Sequence, residues 1–221
     1  MRLIAHRGFA SLYPENTVRA VEEAAARADA VEIDVRRCRS GELVVIHDET
    51  VDRVTDGTGA VADHTLSELS ALNVLGTGSG VPTLSAVLYA LPEHIGINVE
   101  LKEPDTAADA ITLATETHPQ VIVSSFDNRI LSACRETAPG VPRAYLVAEE
   151  PRNVLQPARE LGCSYLHPAK EICDERLINE AHRAGLSVNA WTIDSRSEAA
   201  DLAEIGVDGV IADRWGVLPS E

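Results

Sequence analysis

Within residues 31–49, VEIDVRRCRSGELVVIHDE, two carboxylates stand two positions apart inside an apolar run, Glu32 and Asp34, and an imidazole, His47, closes the next run. His6 and Arg7 end an earlier apolar run, and Asn98, Glu100 and Lys102 alternate along INVELKE. Glu32, Asp34 and Glu100 together make a hard-oxygen set suited to one divalent cation, Mg2+ or Ca2+, with Mn2+ also compatible. A single acid at such a place would be explained by a neighbouring arginine or lysine. Three acids without an equal number of bases repel one another in a low dielectric, and a cation resolves the repulsion. His6 and His47 flank the set, and imidazole titrates nearest neutrality, so the pair reads as a general acid and a general base. Arg7 and Lys102 supply the fixed positive charge a phosphoryl group requires, and they also balance the acids.

The elements that must bring these groups together follow from periodicity. Short runs rich in Val and Ile predict strands at about 2–5, 31–36, 43–47, 96–101, 121–125, 143–147, 164–167, 187–191 and 208–212. Stretches such as TVRAVEEAAARA and DTAADAITLATETH carry helix formers between them, and repeated βα units predict a parallel sheet with helices outside. Nine strands exceed an eight-stranded barrel by one. Parallel neighbours need a crossover of about a dozen residues, and far fewer separate strand 31–36 from strand 43–47. That pair must be an antiparallel hairpin turning near Ser40–Gly41, which places Asp34 close to Ile46 and His47. Eight parallel strands remain, the count of a (β/α)8 TIM barrel, whose functional groups sit at the C-terminal strand ends. Residues 48–82, rich in Gly and Thr, break the βα rhythm and predict a short cap after the second barrel strand, with a short helix at TLSELSAL. The whole chain, 1–221, is expected to be one domain.

Other strand ends are polar or aromatic too. Ser124, Ser125 and Phe126 end one strand, His167 another, and Trp191 with Thr192 a third. Trp191 reads as an apolar wall for the alcohol part of a small substrate, against the plainer role of barrel filling. Arg53 and Thr55 are turn formers first and substrate contacts second. His64, His94, His118 and His182 read as surface residues.

The bulk numbers set the class. With 45% hydrophobic and 24% charged residues the chain is a globule with ample apolar mass for a core, and no apolar run approaches the ~18 residues of a membrane helix. The opening MRLIAHRGF has no signal-peptide pattern, which makes a cytoplasmic location the expectation. A formal charge of −16 argues against a nucleic-acid partner, because phosphate backbones select basic stripes. Only two lysines occur, Lys102 and Lys170, beside 17 arginines. Cys38, Cys134, Cys163 and Cys173 show no CxxC spacing and read as reduced, partly buried thiols. Oligomeric state leaves no mark in the sequence.

AHRG, PENT (Pro14 to Thr17), EIDV, VVIHD, DRVTDGTG, PTL, NVELK, SSF, LHP, AWT and DGVIAD follow one another from residue 3 to about residue 213. In that order the set resembles the glycerophosphodiester phosphodiesterases of the PLC-like phosphodiesterase superfamily. The resemblance implies a barrel that hydrolyses small-molecule glycerophosphodiesters, the deacylated phospholipids, to glycerol phosphate and an alcohol. It implies His6 and His47 as the acid–base pair and Glu32, Asp34 and Glu100 as metal ligands. It further implies Arg7 and Lys102 as phosphate contacts, Trp191 on the glycerol side, and Glu15, Asn16, Ser125 and His167 in support. One departure concerns the cap: LNVLGTGSGVP has no aromatic where family members often carry a pair. A phospholipase D-like enzyme on lysolipids, a sugar-phosphate isomerase and a non-catalytic phosphate-binding barrel are the rival readings. Paired proton-transfer groups beside clustered acids weigh against the last two.

Overall fold

The computed structural model describes residues 1–149 and 154–218. Its strands are β1 (Arg2–His6), β2 (Ala30–Arg37), β3 (Leu43–Val45), β4 (Gly96–Leu101), β5 (Val121–Ser125), β6 (Arg143–Val147), β7 (Tyr165–Pro168), β8 (Ser187–Ile193) and β9 (Gly209–Ala212). Its helices are α1 (Val18–Ala25), α2 (Leu66–Ala71), α3 (Leu84–Ala90), α4 (Ala107–Thr117), α5 (Asn128–Thr137), α6 (Leu155–Glu160), α7 (Glu175–Arg183) and α8 (Arg196–Glu204). All strands but β3 pair in parallel in chain order, and β9 pairs back onto β1, which closes an eight-stranded TIM barrel. No helix among the described residues is long and apolar enough to cross a membrane.

β3 stays outside the ring, antiparallel to β2, with Val35 opposite Val45 and Arg37 opposite Leu43. The Ile46 N–H donates to the Asp34 carbonyl at 3.0 Å, so the hairpin carries His47 to the neighbourhood of Asp34 as the loop length required. Strand alternation then sorts the side chains. Val31, Ile33, Val35, Val99 and Leu101 join the main apolar cluster, each contributing about 1.5–3 kcal/mol by burial. Glu32, Asp34, Asn98 and Glu100 point the other way, into the barrel, and are buried there.

Helix starts are locally encoded. Thr17, Thr65, Thr83, Asp127, Asp174 and Ser195 each accept a backbone N–H from the first turn of the helix they precede. Thr65 with Glu68 and Ser195 with Glu198 form full capping boxes.

Residues 48–82 contain α2 and two 3-10 turns, Val61–Asp63 and Val74–Gly76. Val51, Val54, Val61, Leu69, Val74 and Val81 bury a second apolar cluster together with Val44 and Ile46. β3 therefore serves two masters: Leu43 and Val45 pack into the main cluster, Val44 into the smaller one.

The first loop is tightly constrained. Arg7, Phe9 and Asn16 adopt positive φ (50°, 69° and 58°), a region that costs a non-glycine residue energy and persists only when neighbours enforce it. Gly8, at φ 77°, packs so closely on α1 that an added Cβ would lie 2.7 Å from the Ala20 Cβ. Gly8→Ala should therefore cost about 2–4 kcal/mol in chemical denaturation, from positive φ and overpacking together. A midpoint unchanged from wild type would contradict that packing.

The thiols behave as expected: Cys38 and Cys134 are buried, Cys163 and Cys173 half-buried, and none forms a disulfide. Burial pushes the Cys134 and Cys163 thiols up to about 11 and that of Cys173 to about 12. One histidine needs correction. His118 is buried, not on the surface, and its ring nitrogens lie 3.1 Å from the Leu91 carbonyl and 3.0 Å from the Thr117 hydroxyl. It caps α4, where the chain turns toward β5 and the imidazole covers the carbonyl left free at the end of α3. His94 and His182 are exposed, and His64 is half-buried.

Candidate active site

The C-terminal ends of β1, β2 and β4 carry the polar groups of one cavity of about 230 Å³. Its polar lining is His6, Arg7, Glu32, His47, Asn98 and Glu100, and its apolar lining includes Phe126, Leu146, Trp191 and Ile211. Trp191 and Phe126 meet edge to face with ring centroids 5.7 Å apart, and the Trp191 indole N–H donates to the His167 carbonyl at 2.8 Å. Phe126 is 46% exposed and stands at the rim.

The three acids converge. One oxygen from each of Glu32, Asp34 and Glu100 lies within 4.8 Å of the others, and all three residues are buried. Their surroundings differ. Burial opposes ionisation of Asp34, but Lys102 (Nζ 2.8 Å from Oδ1) and Arg7 (Nε 3.2 Å from Oδ2) outweigh it and hold the carboxyl well below the usual range. Asn16, itself buried, donates to Asp34 Oδ2 at 2.8 Å and accepts the Asp34 N–H at 3.2 Å. Glu32 has less help: the Arg7 backbone N–H donates to its Oε2 at 3.0 Å, and the charges of His6 and Arg7 offset its burial only in part. Burial and the charges of Asp34 and Glu100 push its carboxyl up to about 8, and its Oε1 has no hydrogen-bond partner. Glu100 is raised by burial and by Asp34, although the Lys102 ammonium bonds to it directly. Three buried carboxylates against two cations, one bare oxygen among them, is an arrangement that hard divalent ions satisfy. The residues present fit such an ion.

Each imidazole has a carboxylate behind it. His6 Nδ1 lies 2.6 Å from Asp213 Oδ1, and its Nε2 is 3.9 Å from Glu32 Oε2. Burial opposes the His6 imidazolium, but Asp213 and Glu32 outweigh it and raise the pKa. His47 Nδ1 lies 2.6 Å from Asp48 Oδ1, and burial lowers its pKa despite the nearby charges of Asp34 and Asp48. A carboxylate at Nδ1 fixes the ring orientation and leaves Nε2 as the working nitrogen. Asp48 and Asp213 were not singled out from sequence. The signal was present: Asp48 follows His47 directly, and Asp213 follows β9, the barrel neighbour of β1.

Not every polar strand end reaches the cavity. The Ser125 hydroxyl donates to the Leu101 carbonyl at 2.9 Å and accepts the Asp127 N–H, tying β5 to its neighbour. His167 is fully buried and is not among the cavity-lining residues; Asn189 Nδ2 lies 3.0 Å from its Nε2, and burial pushes its pKa down to about 3. Thr55 bonds back to the Val51 carbonyl as a turn former. Lys170, the second lysine, pairs with Glu198 and Asp194 away from the cavity.

Fold and mouth together define a (β/α)8-barrel enzyme with carboxylate-backed imidazoles beside a buried acid cluster. Comparison with known proteins narrows this class. The glycerophosphoryl diester phosphodiesterase family matches residues 6–217. A glycerophosphodiester phosphodiesterase of Caldanaerobacter subterraneus is 34% identical over 233 residues, covering 96% of this chain and 93% of that protein. An Oleispira antarctica phosphodiesterase solved in complex with the product sn-glycerol-3-phosphate superposes with a TM-score of 0.90 at 30% identity, covering 96% of this chain and 93% of that one. The Thermotoga maritima glycerophosphodiester phosphodiesterase gives 0.82 at 29% identity, covering 96% and 94%. This chain belongs to the glycerophosphoryl diester phosphodiesterase family and is a phosphoric diester hydrolase.

Proposed function

We propose that the protein is a cation-dependent phosphodiesterase acting on deacylated phospholipids, cleaving them to glycerol phosphate and an alcohol. The observation that carries this reading is the acid triad, whose oxygens lie within 4.8 Å of one another with His6 and His47 lining the same cavity. Glu32, Asp34 and Glu100 would hold the cation. Bound there, a divalent ion supplies a Lewis acid for a phosphoryl oxygen.

The chain's own residues supply the rest. One imidazole takes the proton of the attacking oxygen at its Nε2, and the other delivers a proton to the departing alkoxide, so the pair exchanges roles over a turnover. Arg7 and Lys102 serve two purposes: they neutralise Asp34 and they add positive potential where a phosphate would lie. Glu15 and Asn16 hold Arg7 and Asp34 in place, and Ser125 and His167 support the mouth from outside its lining. Trp191 and Phe126 offer an apolar wall to glycerol carbons while excluding water. At about 230 Å³ the cavity is below the ~300–1,000 Å³ of drug-sized pockets, which favours a small polar diester over an intact lipid. The whole chain works as one barrel unit, with residues 48–82 as a cap beside the mouth, in the cytoplasm.

The deciding experiment incubates purified protein with glycerophosphocholine and measures glycerol phosphate, with and without EDTA. Turnover should vanish with EDTA and return with Mg2+, Ca2+ or Mn2+. Undiminished hydrolysis in EDTA, or cleavage of lysolipids alone, would overturn the reading.

A further inference from the structure

Arg53 is the group none of these steps uses. It lies in residues 48–82, and its guanidinium engages a carboxylate along each of two edges. Nε and Nη2 donate to Asp48 Oδ2 and Oδ1 at 2.5 and 3.2 Å, while Nη1 and Nη2 donate to Glu15 Oε2 and Oε1 at 2.8 Å each. Each acid has a second duty. Asp48 Oδ1 lies 2.6 Å from His47 Nδ1, and Glu15 Oε1 accepts from Arg7 Nη1 at 2.9 Å. Arg7 in turn reaches Asp34 with its Nε at 3.2 Å and Glu32 with its backbone N–H at 3.0 Å.

We propose that Arg53 is a positioning residue that locks the His47 imidazole and the Arg7 guanidinium into one frame, joining the segment after β3 to the loop after β1. The need for such a lock follows from the backbone. His47 stands beyond the end of β3, a strand outside the closed barrel; Arg36 Nε holds its carbonyl at 2.9 Å, while its ring is oriented by the Asp48 contact. Arg7 sits past the end of β1 at positive φ. Both groups are therefore aimed by side-chain contacts. Remove Arg53, and Asp48 and Glu15 become two carboxylates facing each other without a cation between them, free to swing away from the groups they hold. A lysine would keep the charge but not the geometry, because one ammonium cannot make two planar bidentate pairs. With both acids bonded at both oxygens, Arg53 has no edge left for substrate, which replaces its earlier reading as a turn former with a substrate contact second.

Arg53 is 48% exposed at its side chain, and exposed ion pairs contribute little to stability. Loss of the lock should therefore show in turnover and not in melting. The inference rests on the acid–base role of His47, so the variants Arg53→Lys and Arg53→Ala are assayed on glycerophosphocholine beside His47→Ala in the full chain. Both Arg53 variants should lose roughly 10–100-fold in kcat, the scale expected from misplacing a catalytic group by about 1 Å. KM should stay within about threefold, and Tm should move by no more than a few degrees. In a His47→Ala background, Arg53→Ala should cost at least about threefold less than in wild type, because only the arm through Glu15 and Arg7 is left to lose. Full kcat in Arg53→Lys, or a raised KM at unchanged kcat in Arg53→Ala, would overturn the proposal while leaving the acid–base reading intact. Full turnover in His47→Ala would remove that reading, and this inference with it.

Discussion

His47→Ala and His6→Ala should each lower kcat/KM on glycerophosphocholine by about 10²–10⁴-fold, the usual contribution of one positioned proton-transfer group. The geometry makes the roles non-redundant. Each ring is held at Nδ1 by its own acid, Asp48 for His47 and Asp213 for His6, both at 2.6 Å. Each thereby presents its other nitrogen to the shared cavity. One ring cannot serve both ends of a phosphodiester, because removing a proton from the nucleophile and delivering one to the leaving group require opposite protonation states at the same moment. Loss of either should therefore be nearly as damaging as loss of both. The measurement is steady-state kinetics on the two single variants and the double variant at saturating cation. Independent, multiplying effects, or either single variant at wild-type rate, would exclude a concerted pair.

Glu32→Gln should separate the two faces of the acid cluster: more stable without a cation, and dead with one. In the metal-free protein Glu32 carries a folded-state pKa of about 8, raised by burial and by Asp34 and Glu100, against ~4.3 for an unfolded glutamate. A raised carboxyl leaves stability untouched while both states are protonated. It then removes stability as pH climbs from about 4 through 8, because the unfolded chain gives up the proton more readily than the folded one. Glutamine has no proton to lose and can still accept the Arg7 N–H that Glu32 Oε2 accepts at 3.0 Å. The metal-free variant should therefore exceed wild type by about 2–4 kcal/mol near pH 8, with a flatter stability–pH profile between about 4 and 8. Addition of Mg2+ or Ca2+ should raise the Tm of wild type by mass action and leave the variant nearly unmoved. Parallel pH profiles would mean that Glu32 does not bear the repulsion, and equal cation-induced shifts in both proteins would mean that it does not hold the ion.

The sequence reached far into the fold because its information was of the right kind. Apolar runs of strand length placed all nine strands close to where they lie, and one connection too short for a parallel crossover identified β3 as the strand outside the barrel. The alternation in INVELKE put Asn98, Glu100 and Lys102 on one face, and Glu32 and Asp34 proved to be their neighbours, with Glu32 beside Asn98 and Asp34 beside Glu100 in the β2–β4 register. Thr65–Glu68 and Ser195–Glu198 also carry their capping boxes within four consecutive residues, a local signal that the reading by periodicity passed over.

Other groups carried no such mark. TETHPQ looks like a surface turn, yet the imidazole of His118 folds in beneath α3 to meet the Leu91 carbonyl. LHP and VSSF end their strands as polar residues do at the mouth, but His167 is buried against Asn189 outside the cavity lining and Ser125 bonds a neighbouring strand. The residues that aim the two imidazoles were the least visible: Asp213 lies 207 positions from His6, and Arg53 joins Glu15, 38 positions away, to Asp48.

By itself, then, the amino-acid order determined the eight parallel strands, the hairpin beside them and which acids and histidines share a face, since periodicity and loop length are local quantities. Height along the barrel axis, and the partner each side chain meets, were decided only when the ring closed. Closure tilts and staggers the strands, and that stagger sets which strand ends reach the mouth and which carboxylate comes to stand behind each ring.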